Sequence, residues 1–208
     1  MVYRISPYAE LVNHAVWFDY EEPPGPSWYD YFMNEQPVPK ERAPTLLLSK
    51  KKGPLPPAFQ IAAEIWCVSA ELRDLMQRLY GSQVAFYEVP VVVKADRRPL
   101  PPTYFVAFSQ FRHLIDWTRS KTTTYTRSYA GNSVETVTLA DVPKAAVFEA
   151  MPKDRPMIWI ETSFLADGRH FSPPGAYSVY TTNAAGRTMA EAFPNCFVIR
   201  EFEESQAS

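Results

Sequence analysis

Apolar and polar residues alternate most regularly in the stretch IWCVSAELRDLMQRLYGSQVAFYEVPVVVK. The apolar run at 65–68 predicts a buried strand, and Ser69 after it is a favoured N-cap residue for a helix. Four apolar residues then recur at helical spacing in one stripe: Leu72, Leu75, Met76 and Leu79. Gly81 is typical of the residue that follows a helix, and residues 84–93 have strand composition, with Pro90 marking an edge or a bulge.

The remaining pattern is mostly that of strands. They are predicted in residues 2–20, 45–59, 103–111, 113–139 and 156–161, with a turn at 96–102. Near the C-terminus Thr182 or Asn183 can cap a second helix, which ends at Pro194 before a strand at 196–202. The predicted fold class is therefore α+β: a mostly antiparallel sheet with two or three helices packed on one face, and a suggested strand–helix–strand pseudo-repeat.

Proline divides the chain into short ordered pieces. The 208 residues include 20 prolines and only 7 glycines. A chain of this length can bury a substantial core without a metal or a disulfide. We predict one domain overall, with residues 1–55 as a Pro-rich, aromatic N-terminal part and residues 56–208 as the α+β core.

Charge and cysteine usage narrow the class of protein. The formal net charge of −2 argues against a protein built to coat nucleic acid or acidic lipid. The N-terminus lacks the pattern of a secretory signal, and no apolar run approaches the ~20 residues that cross a bilayer. Cys67 and Cys196 each lie in an apolar segment, which predicts buried free thiols. We expect a cytoplasmic protein with neither a nucleic-acid nor a membrane partner.

Candidate metal-binding and phosphate-binding residues are few. His14, His113 and His170 are scattered without HxxxH or HExxH spacing, and the cysteines form no CxxC pair. No metal and no cofactor is therefore predicted. The sequence NAAGRT at 183–188 is a weak candidate for a phosphate loop, because such loops need closely spaced glycines.

One acid–base pair is possible by proximity. His113 and Asp116 lie three residues apart, with Ser109 or Ser120 as the nucleophile, but neither serine lies in a GxSxG elbow. In a strand, residues three apart point to opposite faces, which would separate the pair. A structural role is favoured, and a small hydrolase or transferase with a cryptic His/Asp/Ser site stays open as an alternative.

Basic residues are concentrated at 50–52 and 119–127, where Tyr125 and Tyr129 could stack on nucleic-acid bases. The overall charge of the chain favours a solvated β surface instead.

Residues 17–36 are the most polarised segment of the chain. They contain no lysine or arginine and five acids: Asp19, Glu21, Glu22, Asp30 and Glu35. They also contain seven aromatic residues: Trp17, Phe18, Tyr20, Trp28, Tyr29, Tyr31 and Phe32. Rings supply contact area and acids steer and pair with a basic partner, so the segment predicts a protein-binding surface. The alternative is that the rings belong to the core and the acids only face water.

Two stretches, PPAFQIAAEIWCVSAELRDLMQRLYGSQVAFYEVPVVV and YFVAFSQFRHLIDWTRSK, resemble the eleventh immunity-protein family of bacterial polymorphic-toxin systems. The resemblance covers residues 56–121 and lies in VSAELRDLM, in the strand ending EVPVVV, and in LIDWTRS with Asp116 and Ser120. It implies an α+β protein made in the cytoplasm beside a secreted toxin gene. Such proteins bind the cognate toxin and are not enzymes as a rule.

The leading hypothesis is a non-catalytic immunity protein that binds and neutralises a cognate secreted toxin. A nuclease toxin would present a basic cleft, where acids could take the place of phosphates. The candidate partner-binding residues are Asp19, Glu21, Glu22, Trp28, Tyr29 and Asp30, with a second patch of Trp117, Arg119 and Lys121 suited to an acidic partner. An adaptor or structural subunit of a secretion or phage-like assembly is a further alternative, which should expose a large apolar patch.

Overall fold

The protein is mostly β, so the predicted α+β fold with helices packed on one face is wrong. The computed structural model describes residues 2–7, 18–50, 52–62, 65–129, 132–140, 145–151, 155–173 and 178–204. Of these residues 48% lie in strands and 19% are helical, in three sheets. The predicted strand at 2–20 is described only at its two ends, and His14 and Trp17 lie outside the described residues.

The described residues form sixteen strands and three α-helices. The strands are β1 (Val2–Pro7), β2 (Phe18–Glu21), β3 (Leu46–Ser49), β4 (Ala58–Ala62), β5 (Ile65–Val68), β6 (Val84–Val93), β7 (Pro99–Phe108), β8 (Phe111–Arg112), β9 (Thr122–Tyr129), β10 (Asn132–Leu139), β11 (Val147–Phe148), β12 (Ile158–Glu161), β13 (Phe164–Ala166), β14 (Arg169–Ser172), β15 (Val179–Thr182) and β16 (Phe197–Glu204). The helices are α1 (Trp28–Met33), α2 (Ala70–Tyr80) and α3 (Asn183–Ala192), with 3₁₀ turns at Lys40–Arg42 and Gly81–Gln83.

The chain divides into two compact units. Unit 1 comprises residues 1–5, 111–186 and 199–208, and unit 2 comprises residues 6–110 and 187–198. The interpretation of the chain as one domain, made from the sequence, stays a prediction.

Unit 2 contains a six-stranded sheet in the order β2-β3-β6-β7-β5-β4. The antiparallel hairpin of β6 and β7 forms its centre, and β3 runs parallel to β6. The register shifts between Val89 and Val91, so the pairing is irregular at Pro90, where an edge or a bulge is predicted, and the extra residue lies in β7. The predicted turn at 96–102 is wrong in its second half, because β7 already begins at Pro99. β5 pairs only with Tyr104 and Phe105 of β7, so the proline-rich start of β7 has one partner strand and tolerates the missing N–H groups.

Helix α2 forms where the apolar stripe predicts it. Ser69 Oγ accepts a hydrogen bond from the Leu72 N–H at 3.3 Å, and Gly81 follows the helix with a φ of 56°. Three members of the stripe are buried: Leu72, Leu75 and Met76. The predicted helix near the C-terminus is also confirmed, as α3. Cys67 and Cys196 are free and buried, as predicted.

Unit 1 contains a six-stranded sheet, ordered β11-β16-β1-β15-β12-β8, and a four-stranded sheet, ordered β13-β14-β10-β9. Aromatic rings fill its core. Phe148 lies 5.0 Å from Tyr180 and 6.0 Å from Trp159 between ring centroids, and all three side chains are fully buried. Ile115 joins this core cluster from the segment that follows β8. The segment containing Asp116 and Trp117 is therefore anchored to the core of unit 1.

Candidate partner-binding surfaces

Helix α1 presents the aromatic residues of the acidic segment. Three prolines precede it in the sequence EEPPGPS, and Ser27 caps its first turn. The Tyr29 N–H donates to Ser27 Oγ at 3.2 Å, and the Ser27 N–H donates to an Asp30 carboxylate oxygen at 3.0 Å. This reciprocal capping box allows a six-residue helix to begin at Trp28.

The two faces of α1 differ sharply in exposure. Trp28 and Phe32 are each only 2% exposed, so they belong to the core of unit 2. Tyr29 and Met33, one turn apart, are 45% and 41% exposed. The ring of Tyr20 in β2 is also exposed and lies 6.1 Å from that of Trp28. Some rings of the segment therefore belong to the core and others face solvent, and its role as a protein-binding surface stays a prediction.

We call the exposed surface the acidic aromatic patch and define it by Tyr20, Glu21, Glu22, Tyr29, Asp30, Met33 and Glu35. Its three apolar members account for three of the five exposed large hydrophobic residues in the described part of the chain. A shallow concavity of about 230 Å³ beside it is lined by Pro26, Asp30, Tyr31, Asn34 and Gln36. That volume is below the roughly 300–1,000 Å³ of small-molecule sites, so the patch suits a protein surface better than a ligand.

The acids of the segment 17–36 differ in whether basic or hydroxyl side chains of the protein already pair with them. Asp19 in β2 forms ion pairs with Lys94 at 2.6 Å and Lys50 at 3.0 Å. Hydrogen bonds from Lys94 and Lys50 lower the pKa of its carboxyl group. Glu21 lies 3.9 Å from an Arg97 guanidinium nitrogen, and Glu22 accepts a hydrogen bond from Ser27 Oγ at 3.2 Å. The negative charge of the segment is therefore centred on α1 and its flanks, not on β2.

The second predicted patch lies in unit 1 and is built on a turn. Asp116 Oδ1 accepts hydrogen bonds from Thr118 Oγ1 at 2.7 Å and from the Arg119 N–H at 3.2 Å. The Thr118 hydroxyl is the main cause that lowers the pKa of Asp116. Arg119 and Lys121 are exposed beyond this turn. The carboxylate thus orders the backbone that presents the two basic side chains.

Trp117 of this patch is only half-exposed. Its ring lies 5.3 Å from Phe171 and 6.5 Å from Phe164, in an edge-on arrangement with both. Phe171 and Phe164 stack on each other at 5.0 Å across β14 and β13. Trp117 therefore joins the turn to the four-stranded sheet, and Arg119 and Lys121 supply the exposed part of the patch.

The residues of the hydrolase alternative each bond to other groups. His113 Nδ1 lies 3.1 Å from both the carbonyl and the hydroxyl oxygen of Thr162. Ser120 Oγ donates to the Asp116 carbonyl oxygen at 2.6 Å and accepts from the Val147 N–H at 2.9 Å. Ser109 Oγ donates to the Gln83 carbonyl oxygen at 2.9 Å. These hydrogen bonds connect backbone segments and do not form a nucleophile–base–acid chain.

Other expected chemistry can be compared with the described residues. Within the described ranges, no three His, Cys, Asp or Glu side chains converge as metal ligands would. The sequence NAAGRT lies wholly within α3, where a Cβ atom added at Gly186 would overlap the Tyr3 ring. No helix in the described part of the chain has the length and apolar character of a membrane span.

Glu161 is a buried acid that the sequence analysis did not single out. It is 1% exposed at the end of β12, where one carboxylate oxygen accepts from the Leu114 and Ile115 N–H groups at 2.7 and 3.0 Å. The other oxygen accepts from Trp159 Nε1 at 2.9 Å. Burial raises the pKa of Glu161 to about 7, against the effect of these three donors. The only signal in the sequence is an acid that ends the apolar run MIWIE.

A family model matches residues 18–149, more than half of the chain. The chain belongs to the Imm11 immunity protein family. The resemblance noted over 56–121 is thus confirmed and extends in both directions, so that it includes α1 and β9. No curated protein and no solved structure matches the chain.

The family match covers both candidate surfaces. The whole acidic aromatic patch lies inside it, as do Trp117, Arg119 and Lys121. Glu161 and the β13–β14 hairpin lie beyond its end, although they contact residues inside it. Both patches therefore lie in the part of the chain that the family model matches.

Proposed function

We propose that this protein is a non-catalytic immunity protein that binds and neutralises a cognate secreted toxin in the cytoplasm through the acidic aromatic patch. The observation that supports it best is the exposure of Tyr20, Tyr29 and Met33 among acids, in a chain of the Imm11 immunity protein family. The bound immunity protein would cover the active site or a substrate surface of the toxin.

The architecture of α1 favours tight binding. Trp28 and Phe32 fix the helix to the core, so Tyr29 and Met33 are held in place before a partner arrives. Preorganised aromatic and thioether side chains at the centre of an interface lose little conformational entropy on binding. A preformed patch of this kind can act as the anchor of an interface of roughly 1,600 Å².

The charge of the patch favours a basic partner surface. Glu22, Asp30 and Glu35 are exposed and lie in α1 or near its ends in the sequence, within residues 17–36, which contain no lysine or arginine. A nuclease toxin must hold phosphates in a basic cleft, and carboxylates on a rigid helix can occupy such a cleft and speed association. We therefore propose a nuclease as the toxin class.

The test is binding and protection with a matched pair of variants. The toxin encoded beside this gene should co-purify with the immunity protein, and co-expression should restore growth. The double variant Tyr29→Ala/Met33→Ala should weaken binding about 100-fold, because each truncation removes an anchor. Leu165→Ala truncates a side chain that is 73% exposed outside the patch and should leave binding unchanged.

Two results would contradict the proposal. No complex between the purified proteins would remove the function itself. A complex equally tight for Tyr29→Ala/Met33→Ala and for Leu165→Ala would remove the acidic aromatic patch as its site. Competition by a nucleic-acid substrate for the toxin then tests the nuclease class, since a cleft already filled by carboxylates cannot bind phosphates.

A further inference from the structure

Strand β9 is an exposed edge. It lies at one end of the four-stranded sheet and, among the strands of the described residues, pairs with β10 alone. Residues 122–128 are all exposed, on both faces of the strand. Its register with β10 is unbroken from Thr122 to Tyr129, without a bulge. An edge of this length offers a regular row of backbone groups to another strand.

Three of the usual protections of an edge strand are missing from β9. In an antiparallel pair, the N–H and C=O groups of alternate residues point away from the partner strand. Natural edges are commonly blocked by proline, by a bulge, by a very short length or by charged side chains, and Arg127 is the one feature of this kind in β9. β9 has eight residues and no proline in its sequence TTTYTRSY. It therefore retains the geometry that strand addition requires.

The charge around β9 indicates what kind of strand would fit. Residues 117–134 contain Arg119, Lys121 and Arg127 but no aspartate or glutamate. Alternation along the strand places Thr123, Tyr125 and Arg127 on one face. Tyr125 is 45% exposed on that face, so an aromatic side chain that can anchor a partner lies beside the basic side chain of Arg127. The surface is complementary to an extended segment that carries acids beside an apolar residue.

We propose that β9 adds an extended, acidic strand of the cognate toxin to the edge of the four-stranded sheet. The proposal rests on the proposed function and deepens it, because it names a second contact with the same partner. Backbone hydrogen bonds would supply affinity at this edge, and Lys121 and Arg127 would select the acidic strand. The acidic aromatic patch and β9 would then recognise surfaces of opposite charge on one toxin.

Two other occupants are less favoured by the charge pattern. A second copy of this chain would bring two segments that each carry Arg119, Lys121 and Arg127 against each other. A single-stranded nucleic acid would be complementary to the basic side chains and could stack on Tyr125. The net charge of −2 of the whole chain makes a polyanion a less favoured partner. Both remain outcomes of the experiment.

The experiment is residue-resolved amide hydrogen exchange on the full chain, alone and in complex with the purified toxin. In the free protein, about half of the β9 amides should exchange fast, because they point away from β10. In the complex, these amides should slow about tenfold or more, while the fast amides of the exposed β13–β14 turn stay fast.

Charge reversal supplies the second readout. Lys121→Glu/Arg127→Glu should weaken toxin binding about tenfold or more and reduce its dependence on salt. Arg78→Glu reverses an exposed charge on α2 and should change neither the affinity for the toxin nor its dependence on salt. Circular dichroism and the melting temperature establish that each variant is folded. Tyr125→Ala removes the aromatic side chain at the same edge without changing the charge there.

Several outcomes would overturn the inference. A toxin complex in which the fast β9 amides stay fast would remove β9 from the interface and leave the proposed function standing. Protection that appears without toxin and grows with protein concentration would identify a second copy as the occupant. Protection by a single-stranded oligonucleotide alone would assign the edge to nucleic acid. Absence of any toxin complex would end both proposals together.

Discussion

Two polar side chains of unit 1 join backbone segments, in addition to the backbone pairing at the same places. The Glu161 carboxylate accepts the N–H groups of Leu114 and Ile115, and the Ser120 hydroxyl joins the Asp116 carbonyl to the Val147 N–H. Each therefore positions the turn that carries Arg119 and Lys121. These side-chain contacts add to the backbone hydrogen bonds of the turn, such as that from the Asp116 N–H to the Val147 carbonyl at 2.8 Å.

Ionisation of Glu161 should lower the stability of the folded protein. Its pKa is raised by burial from 4.5 to about 7, so folding favours the protonated form. The contribution is fully present below about pH 4.5 and is lost as the pH rises through about 7. Ionisation of Glu161 should lower the free energy of unfolding by at most about 3 kcal/mol. Urea unfolding at pH 5 and pH 7.5 measures it as a fall in the free energy of unfolding.

Glu161→Gln removes this titration. The variant should be less stable than the wild type at pH 5, because its amide cannot accept hydrogen bonds from all three donors. Its free energy of unfolding should change less than that of the wild type between pH 5 and pH 7.5. Glu201→Gln at an exposed position of β16 is the control and should keep the pH dependence of the wild type. Equal pH dependence in all three proteins would show that Glu161 does not titrate in this range.

Ser120→Ala tests whether this serine is structural. The substitution leaves the Val147 N–H and the Asp116 carbonyl without their hydroxyl partner, which should cost about 1–2 kcal/mol of unfolding free energy. Ser133→Ala, at an exposed position of β10, should change stability by less than about 0.5 kcal/mol. Toxin neutralisation by Ser120→Ala should persist at a temperature where the variant is folded. Unchanged stability with loss of a hydrolytic activity would instead support the enzyme alternative.

At the scale of elements, strongly periodic segments could be predicted and weakly patterned ones could not. α2 carries both an N-cap and a full apolar stripe, and β6 is rich in β-branched residues, so both follow from the sequence. The β13–β14 hairpin was missed, although its Asp167–Gly168 turn, with φ of 49° and 72°, is a recognised hairpin signal. Its strands have three and four residues, too short for alternation to show.

The error in fold class has the same origin. Two helices of about three turns are conspicuous in the pattern, whereas two-residue strands such as β8 and β11 are too short for any alternation to show. The acidic segment was predicted as a surface, but its division into buried Trp28 and exposed Tyr29 depends on where α1 begins. The pairing of Asp19 with Lys50 and Lys94 depends on strand order and leaves no local signal.

Gly186 allows α3 to approach its neighbours, and replacing it should destabilise the protein. A Cβ atom there would lie 2.6 Å from Tyr3 Cδ2 and 3.0 Å from Thr181 Cγ2. Gly186→Ala would normally stabilise a helix by about 1 kcal/mol, but this overlap should reverse the sign and cost about 1–3 kcal/mol. The thermal midpoint measures the effect. Gly53→Ala, which has open space around the new Cβ, is the control, and equal midpoints would contradict the packing role.

At the scale of the whole molecule, the near-neutral net charge conceals two surfaces of opposite sign. Unit 2 carries the acidic aromatic patch, and unit 1 carries Arg119, Lys121 and Arg127 at and before β9. Total charge therefore argues only against a uniform polyanion partner. Composition alone could not indicate this distribution of charge.

Neither unit is one continuous piece of chain, which predicts how fragments should behave. Residues 187–198 return to unit 2, where Phe197 lies 5.9 Å from Trp66 and the Tyr80 hydroxyl lies 3.2 Å from Met189 Sδ. A fragment of residues 6–110 should therefore unfold at lower urea concentration, or without cooperativity, because these buried contacts are missing.

Joining residues 187–198 to that fragment through a Gly/Ser linker should restore a cooperative transition, followed by tryptophan fluorescence. A scrambled version of the same twelve residues is the control, since it adds equal length without placing Phe197 and Met189. If the 6–110 fragment alone matched the linked one in midpoint and slope, the contribution of the C-terminal segment to unit 2 would be negligible. If only the native order restored the transition, folding of unit 2 would have to wait for the end of the chain.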